Sequence, residues 1–206
     1  MKKVLIPTKL DLIAKETLGD HSKYEVIQDE SADLNDLIKK HHDAHALIVR
    51  SEKITSDIID ALPNLKIIVR AGAGYNTIDT KYARNKGVDV MNTPGANANA
   101  VAEEVVALML ADARHLIPGD ISCRQGKWEK KNFMGSEVTG KTVGIVGFGA
   151  IGQLVAKRLS GFNVKILAND PFLKVEKART FDATPVELEQ IFKECDYISL
   201  HIPENN

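Results

Sequence analysis

Short apolar, β-branched runs alternate with polar stretches along the first half of the chain. Val4 to Ile6, Tyr24 to Ile27, Ala46 to Val49, Lys66 to Val69 and Val88 to Met91 predict five strands. Between them, Leu10 to Leu18, Leu34 to Lys40, Asp57 to Leu62 and Thr80 to Lys86 predict helices. Ser56 with Asp57 in the first turn suits a helix start, and Gly87 suits a stop. Strands that alternate with helices imply a parallel sheet covered on both faces. Residues 1–96 are therefore expected to form a small flavodoxin-like α/β domain.

The stretch from Asn99 to Leu116 predicts one long helix that is apolar almost all round, apart from Glu103 and Glu104 near its start. Such a helix belongs in an interior or an interface. It is read as the crossover into a second domain, residues 97–206. Pro118 to Gly140 is loop-rich, with a short helix expected near Ile121 to Arg124. The second domain continues with the apolar run Val143 to Val146, a helix over Gln153 to Leu159, and a strand over Val164 to Ala168. Thr184-Pro185-Val186-Glu187 has the form of a capping box with proline at the first helical position, which predicts a helix to about Lys193. Asp196 to Pro203 then reads as the domain's third strand and the loop after it.

The most specific chemistry lies in Val143-Gly144-Ile145-Val146-Gly147-Phe148-Gly149-Ala150-Ile151-Gly152, a strand that runs into a glycine-rich turn and a helix. Gly147 can make the tight turn, Gly149 lets backbone N–H groups approach a pyrophosphate, and Gly152 lets the helix pack closely on the strand. The helix N-terminus adds partial positive charge, with Ala150 and Ile151 in its first turn. Asp170 follows the next strand 18 residues after Gly152, close to the spacing at which an acid meets the ribose 2′-hydroxyl of NAD. A carboxylate there repels the 2′-phosphate of NADP, and no arginine follows immediately to neutralise it. NAD is therefore the expected cofactor, bound by the first half of a Rossmann domain.

Composition narrows the rest. The chain has 206 residues, 44% of them hydrophobic, which is enough to bury more than one core. A net charge of -1 gives no long-range pull toward nucleic acid or an anionic membrane. Cys123 and Cys195 form no CxxC, so neither a disulfide framework nor a zinc site is suggested. Met1-Lys2-Lys3 starts basic, but Pro7 interrupts the apolar run too soon for a signal peptide, and a cytoplasmic location is the expectation. His41, His42 and His45 could suggest a metal cluster. A solvated link between helix and strand is preferred, because no further ligand spacing completes a site.

The sequence resembles the D-2-hydroxyacid dehydrogenase family over essentially its whole length. The stretches that carry the resemblance are Val49-Arg50-Ser51, Val69 to Asp79, Asn92 to Asn97, and Gly126 to Gly135. The last, with its GKWE and FMG passages, points to the phosphoglycerate branch. The resemblance implies an NAD-dependent oxidoreductase acting on 3-phosphoglycerate or a related 2-hydroxy acid, working as a homodimer or higher homo-oligomer. A glyoxylate or hydroxypyruvate reductase, or a non-catalytic NAD-binding or corepressor-like protein, are the alternatives. It assigns Arg50, Ser51, Arg70, Gly72, Ala73, Gly74 and Asn97 to the substrate. Arginines at strand ends suit this, because guanidinium forks bind carboxylate and phosphate in bidentate fashion. To the cofactor it assigns Ala73, Val101, Gly147, Gly149, Ala150, Ile151, Gly152, Asp170, His201, Ile202 and Pro203. The family's catalytic Arg, Glu and His are expected beyond Asn206, so no catalytic residue is assigned. Asn76-Thr77 departs from the Asp-Asn usual in the family loop.

Overall fold

A computed structural model describes residues 1–202 of the chain. The chain divides into two compact units, Met1–Ala96 and Asn97–Asn206. Both are α/β, and each is built on a parallel sheet.

The first unit runs β1 (Lys2–Ile6), α1 (Ile13–Gly19), β2 (Tyr24–Gln28), α2 (Leu34–Lys40), β3 (Ala46–Val49), α3 (Ser56–Asp60), β4 (Ile67–Arg70), α4 (Thr80–Asn85) and β5 (Asp89–Met91). The strand order is β2-β1-β3-β4-β5, all parallel, so the chain winds out from β1 in both directions. Leu5, Leu47, Val49 and Ile68 are fully buried, and Ile38 of α2, Ile58 and Ile59 of α3 and Leu62 just after it pack in the same cluster. Each such side chain contributes roughly 1.5–3 kcal/mol by leaving water. The Asp33 carboxylate accepts N–H groups at the start of α2, and that of Asp79 does the same for α4.

The second unit runs α5 (Ala98–Ala113), α6 (Leu116–Arg124), β6 (Thr142–Val146), α7 (Ala150–Leu159), β7 (Lys165–Asn169), α8 (Val175–Arg179), β8 (Ala183–Pro185), α9 (Leu188–Glu194) and β9 (Tyr197–Leu200), with strand order β8-β7-β6-β9. β6 is buried on both faces. Val143 and Ile145 pack with Val155 and Leu159 of α7, while Val146 joins Leu167 and Ile191 on the side of α9. Gly144 is small for the same reason, because a Cβ there would lie 2.5 Å from the Ile191 side chain.

Several expectations need correction. The long helix stops at Ala113, because His115 adopts the left-handed conformation (φ 51°) and breaks the chain into α5 and α6. Pro118 then sits in the first turn of α6, where a missing N–H costs nothing. The capping box at Thr184 to Glu187 is instead β8 and a two-residue link, with α9 starting only at Leu188. Its proline ends an edge strand, a place in a sheet where a missing donor is tolerated. Tyr197–Leu200 is consequently the fourth strand of its sheet, beside β6, rather than the third. The third helix begins one residue earlier than expected, after Thr55.

Candidate functional site

In each unit the candidate residues gather where the parallel strands end, the edge at which open α/β sheets bind ligands. In the first unit, Arg50 and Ser51 follow β3 and are exposed, and Arg70 closes β4 half-buried. Arg70 Nε donates to the Arg50 carbonyl at 2.8 Å, which ties the two loops together. The guanidinium lies directly over Gly72, where a Cβ would meet Arg70 Nη1 at 1.6 Å, so only glycine leaves the arginine its place. The Gly72-Ala73-Gly74 turn is held from the loop after β5. Asn92 Nδ2 donates to the Ala73 carbonyl at 2.6 Å, and the Thr93 N–H donates to the Gly72 carbonyl at 3.0 Å.

Sequence reasoning missed Glu52 and Asn92. One Glu52 oxygen accepts the N–H of Arg50 at 2.7 Å and that of Ser51 at 3.1 Å. Burial opposes ionisation of Glu52, but these donors outweigh it and hold the carboxyl below its ordinary range. No spacing rule marks such a residue, because the bond runs from a side chain back to its own loop.

In the second unit the glycine loop sits at the centre of the sheet's carboxyl edge. Gly147 has φ +90°, and a Cβ there would lie 2.5 Å from the His201 carbonyl, so backbone conformation and crowding both demand glycine. Its N–H donates to the Asn169 carbonyl at 2.8 Å, and the His201 N–H donates to that of Val146 at 2.7 Å. A Cβ on Gly152 would lie 2.3 Å from the Gly147 carbonyl, which brings α7 hard against the strand. Gly149 is the contrast: nothing stands within 4 Å of where its Cβ would be. The loop therefore presents an open face at the start of α7, where the first N–H groups of a helix, here those of Ala150 and Ile151, have no intrahelical partner. That is the shape and polarity a pyrophosphate requires.

Asp170 follows β7. Its Oδ2 accepts the Phe148 N–H and its Oδ1 the Phe172 N–H, each at 2.8 Å, so the acid is pinned to the glycine loop. An open pocket of about 450 Å³ beside it is lined by Phe148, Gly149, Gln153, Asp170, Lys174 and Lys177. No arginine follows Asp170 immediately, but the two lysines bring positive charge to the same pocket. Lys177 Nζ also lies 5.1 Å over the ring of Phe181, which packs edge-on against Phe148. His201 and Ile202 follow β9 at the same edge. The His201 ring contacts the Ser199 hydroxyl at 2.8 Å, and burial lowers its pKa. Val101 is half-buried in α5, which packs on α7, and Asn97 precedes α5 without capping it. Pro203 lies outside the described residues. The histidines at 41, 42 and 45 form no cluster of three metal-ligating groups with other described residues, and His45 Nδ1 accepts the Lys3 N–H.

Comparison with known proteins decides what this geometry belongs to. Residues 106–206 match the family described as "D-isomer specific 2-hydroxyacid dehydrogenase, NAD binding domain". The chain is also 45% identical over 202 residues to the hydroxypyruvate reductase of Thermotoga maritima, across 98% of this chain and 65% of that protein. Residues 106–206 belong to the NAD-binding domain of the D-isomer specific 2-hydroxyacid dehydrogenase family. A D-3-phosphoglycerate dehydrogenase of Sus scrofa is 39% identical over 98% of this chain, which spans 38% of it. Among solved structures, the TT0316 protein from Thermus thermophilus superposes with a TM-score of 0.87 at 30% identity, over 98% of this chain and 65% of that one. The chain thus spans just under two thirds of its reductase relative and well under half of the phosphoglycerate relative. No helix among the described residues is long and apolar enough to cross a membrane.

Proposed function

We propose that this chain is the cofactor- and substrate-anion-binding part of an NAD-dependent oxidoreductase that interconverts a small D-2-hydroxy acid and its 2-oxo acid. The observation that carries the reading is the Gly147 to Gly152 loop pinned to Asp170 at the carboxyl edge of a parallel sheet. The N–H groups at the start of α7 hold the pyrophosphate, and the free lone pairs of Asp170 accept the ribose hydroxyls. His201 and Ile202 flank the loop on its other side. NAD, when bound, supplies a hydride acceptor for C2 of the acid. Arg50 and Arg70 orient that acid by its anionic group, with Ser51 and the Gly72 to Gly74 turn beside them.

Two substrate classes fit the family. Hydroxypyruvate and its reduced form match the relative of 45% identity. A second reading, 3-phosphoglycerate, is favoured by the Gly126 to Gly135 passage and by the D-3-phosphoglycerate dehydrogenase relative. Leu108 on α5 and Leu116, Ile117 and Ile121 on α6 are exposed apolar residues of the second unit, and they support self-association into a homodimer. Calorimetric titration with NAD, followed by D-glycerate and 3-phosphoglycerate in its presence, tests the proposal. NAD should bind first and one of the acids after it. A chain that takes up no NAD would overturn the reading.

A further inference from the structure

Resting on that reading of Arg50 and Arg70, we propose that Glu52 sets the substrate loop to accept 2-hydroxy or 2-oxo monocarboxylates and to reject acids that carry an additional phosphate. Two successive backbone N–H groups converging on one oxygen is the arrangement in which a loop holds an anion. Here the N–H groups of Arg50 and Ser51 converge at 2.7 and 3.1 Å on Glu52, so the chain's own carboxylate fills that position. The Arg50 carbonyl is likewise taken, by Arg70 Nε at 2.8 Å. The Arg50 and Ser51 N–H groups and the Arg50 carbonyl are therefore spent internally, and an incoming anion meets side chains of this loop, the Arg50 head foremost, and the terminal nitrogens of Arg70.

Charge then decides the class. Arg50, Lys53 and Arg70 against the one fixed carboxylate of Glu52 leave the loop with a net charge of +2, more than enough for a monocarboxylate and less than an acid carrying both a carboxylate and a phosphomonoester brings. A phosphomonoester adds about -1.5 to -2 at neutral pH, and it would have to sit beside an acid that cannot move away. Like charges brought together in this way are a standard means of excluding the wrong partner. Glu52 itself touches neither substrate nor cofactor. It is a positioning and specificity-determining residue that acts through the loop it holds.

The test is calorimetric titration of the chain, saturated with NAD, using D-glycerate and 3-phospho-D-glycerate as probes. Wild type should bind D-glycerate more tightly. Glu52→Gln keeps an oxygen for the Arg50 N–H and removes the charge, and it should raise affinity for 3-phosphoglycerate about tenfold relative to D-glycerate. A merely structural role would weaken both probes alike and leave their ratio unchanged. A wild type that prefers the phosphorylated acid overturns the proposal even if the variant is unstable, as does a ratio unmoved in a folded Glu52→Gln. The parent reading fails separately. If Arg50→Ala and Arg70→Ala leave both probes unaffected, the substrate anion lies elsewhere and the proposal falls with it.

Discussion

At the ends of β3 and β4 the first unit offers side-chain cations, Arg50 and Arg70, on a loop whose backbone N–H groups are already bonded to Glu52. At the end of β6 the second unit offers the reverse: Gly147 to Gly152 contains no charged side chain, and bare N–H groups face an open surface. Recognition by side chains can be tuned one substitution at a time. Recognition by backbone depends on the absence of atoms, and one added carbon can abolish it. The two units should therefore respond very differently to mutation.

The largest effect is expected at Gly152. Valine there would press on the Gly147 carbonyl, which stands 2.3 Å from even a Cβ, and push α7 off the strand. Overpacking of this kind costs about 1–3 kcal/mol. Thermal melting should show the second unit destabilised, and titration should show NAD binding lost. Gly149→Ala is the sharper companion, since its methyl meets nothing in the protein. Its melting temperature should be close to wild type while NAD affinity falls, which separates damage to the fold from damage to the ligand face. An unchanged NAD affinity in Gly149→Ala would show that the bare backbone face of this loop does not hold the cofactor.

If Arg70 holds the substrate anion as proposed, Arg70→Ala should cost on the order of 2–5 kcal/mol in binding of the 2-hydroxy acid. NAD binding should stay as it was. Lysine should not restore the loss, because an ammonium cannot both reach the Arg50 carbonyl and present a fork. Titrating both ligands against both variants checks this.

At Asp170 the two modes of recognition meet. Alanine there strands the Phe148 N–H, a loss of about 1–3 kcal/mol for a buried donor. It also leaves Lys174 and Lys177 facing the pocket unopposed. NAD should weaken, and NADP should become the preferred cofactor in parallel titrations of the variant. NADP remaining the weaker ligand would show that the lysines are too far from the 2′ position to matter.

The smallest effect concerns His201, whose pKa burial lowers from the ordinary value of 6.5. Between that lowered value and 6.5 the unfolded chain binds more protons than the folded one. Stability therefore falls as pH drops through this window. Melting curves from about pH 7 to 5 should show a decline that His201→Gln reduces; equal slopes in the two proteins would remove His201 as its source.

Most strands and the glycine loop were legible in the sequence, because burial on both faces leaves continuous apolar runs and a turn at φ +90° leaves glycine. What was illegible depended on neighbours. β8 is three residues long and is defined by pairing with β7, so its Thr-Pro-Val-Glu sequence reads locally as a helix start. The break at His115 has no glycine or proline at the turn itself, Pro118 and Gly119 coming three and four residues later. In the sites, Arg50, Arg70 and Asp170 stood at strand ends where they could be found by position. Glu52, Asn92, Lys174 and Lys177 could not, since each matters through a loop folded back on it or a pocket assembled from two segments.

The most direct measurement is amide chemical-shift mapping of the chain as NAD is added. The resonances of Phe148 to Gly152 and of Asp170 should shift in proportion to bound NAD, while those of Arg50 and Ser51, bonded to Glu52, stay in place. Shifts confined to the arginine loop, with the glycine loop silent, would contradict it.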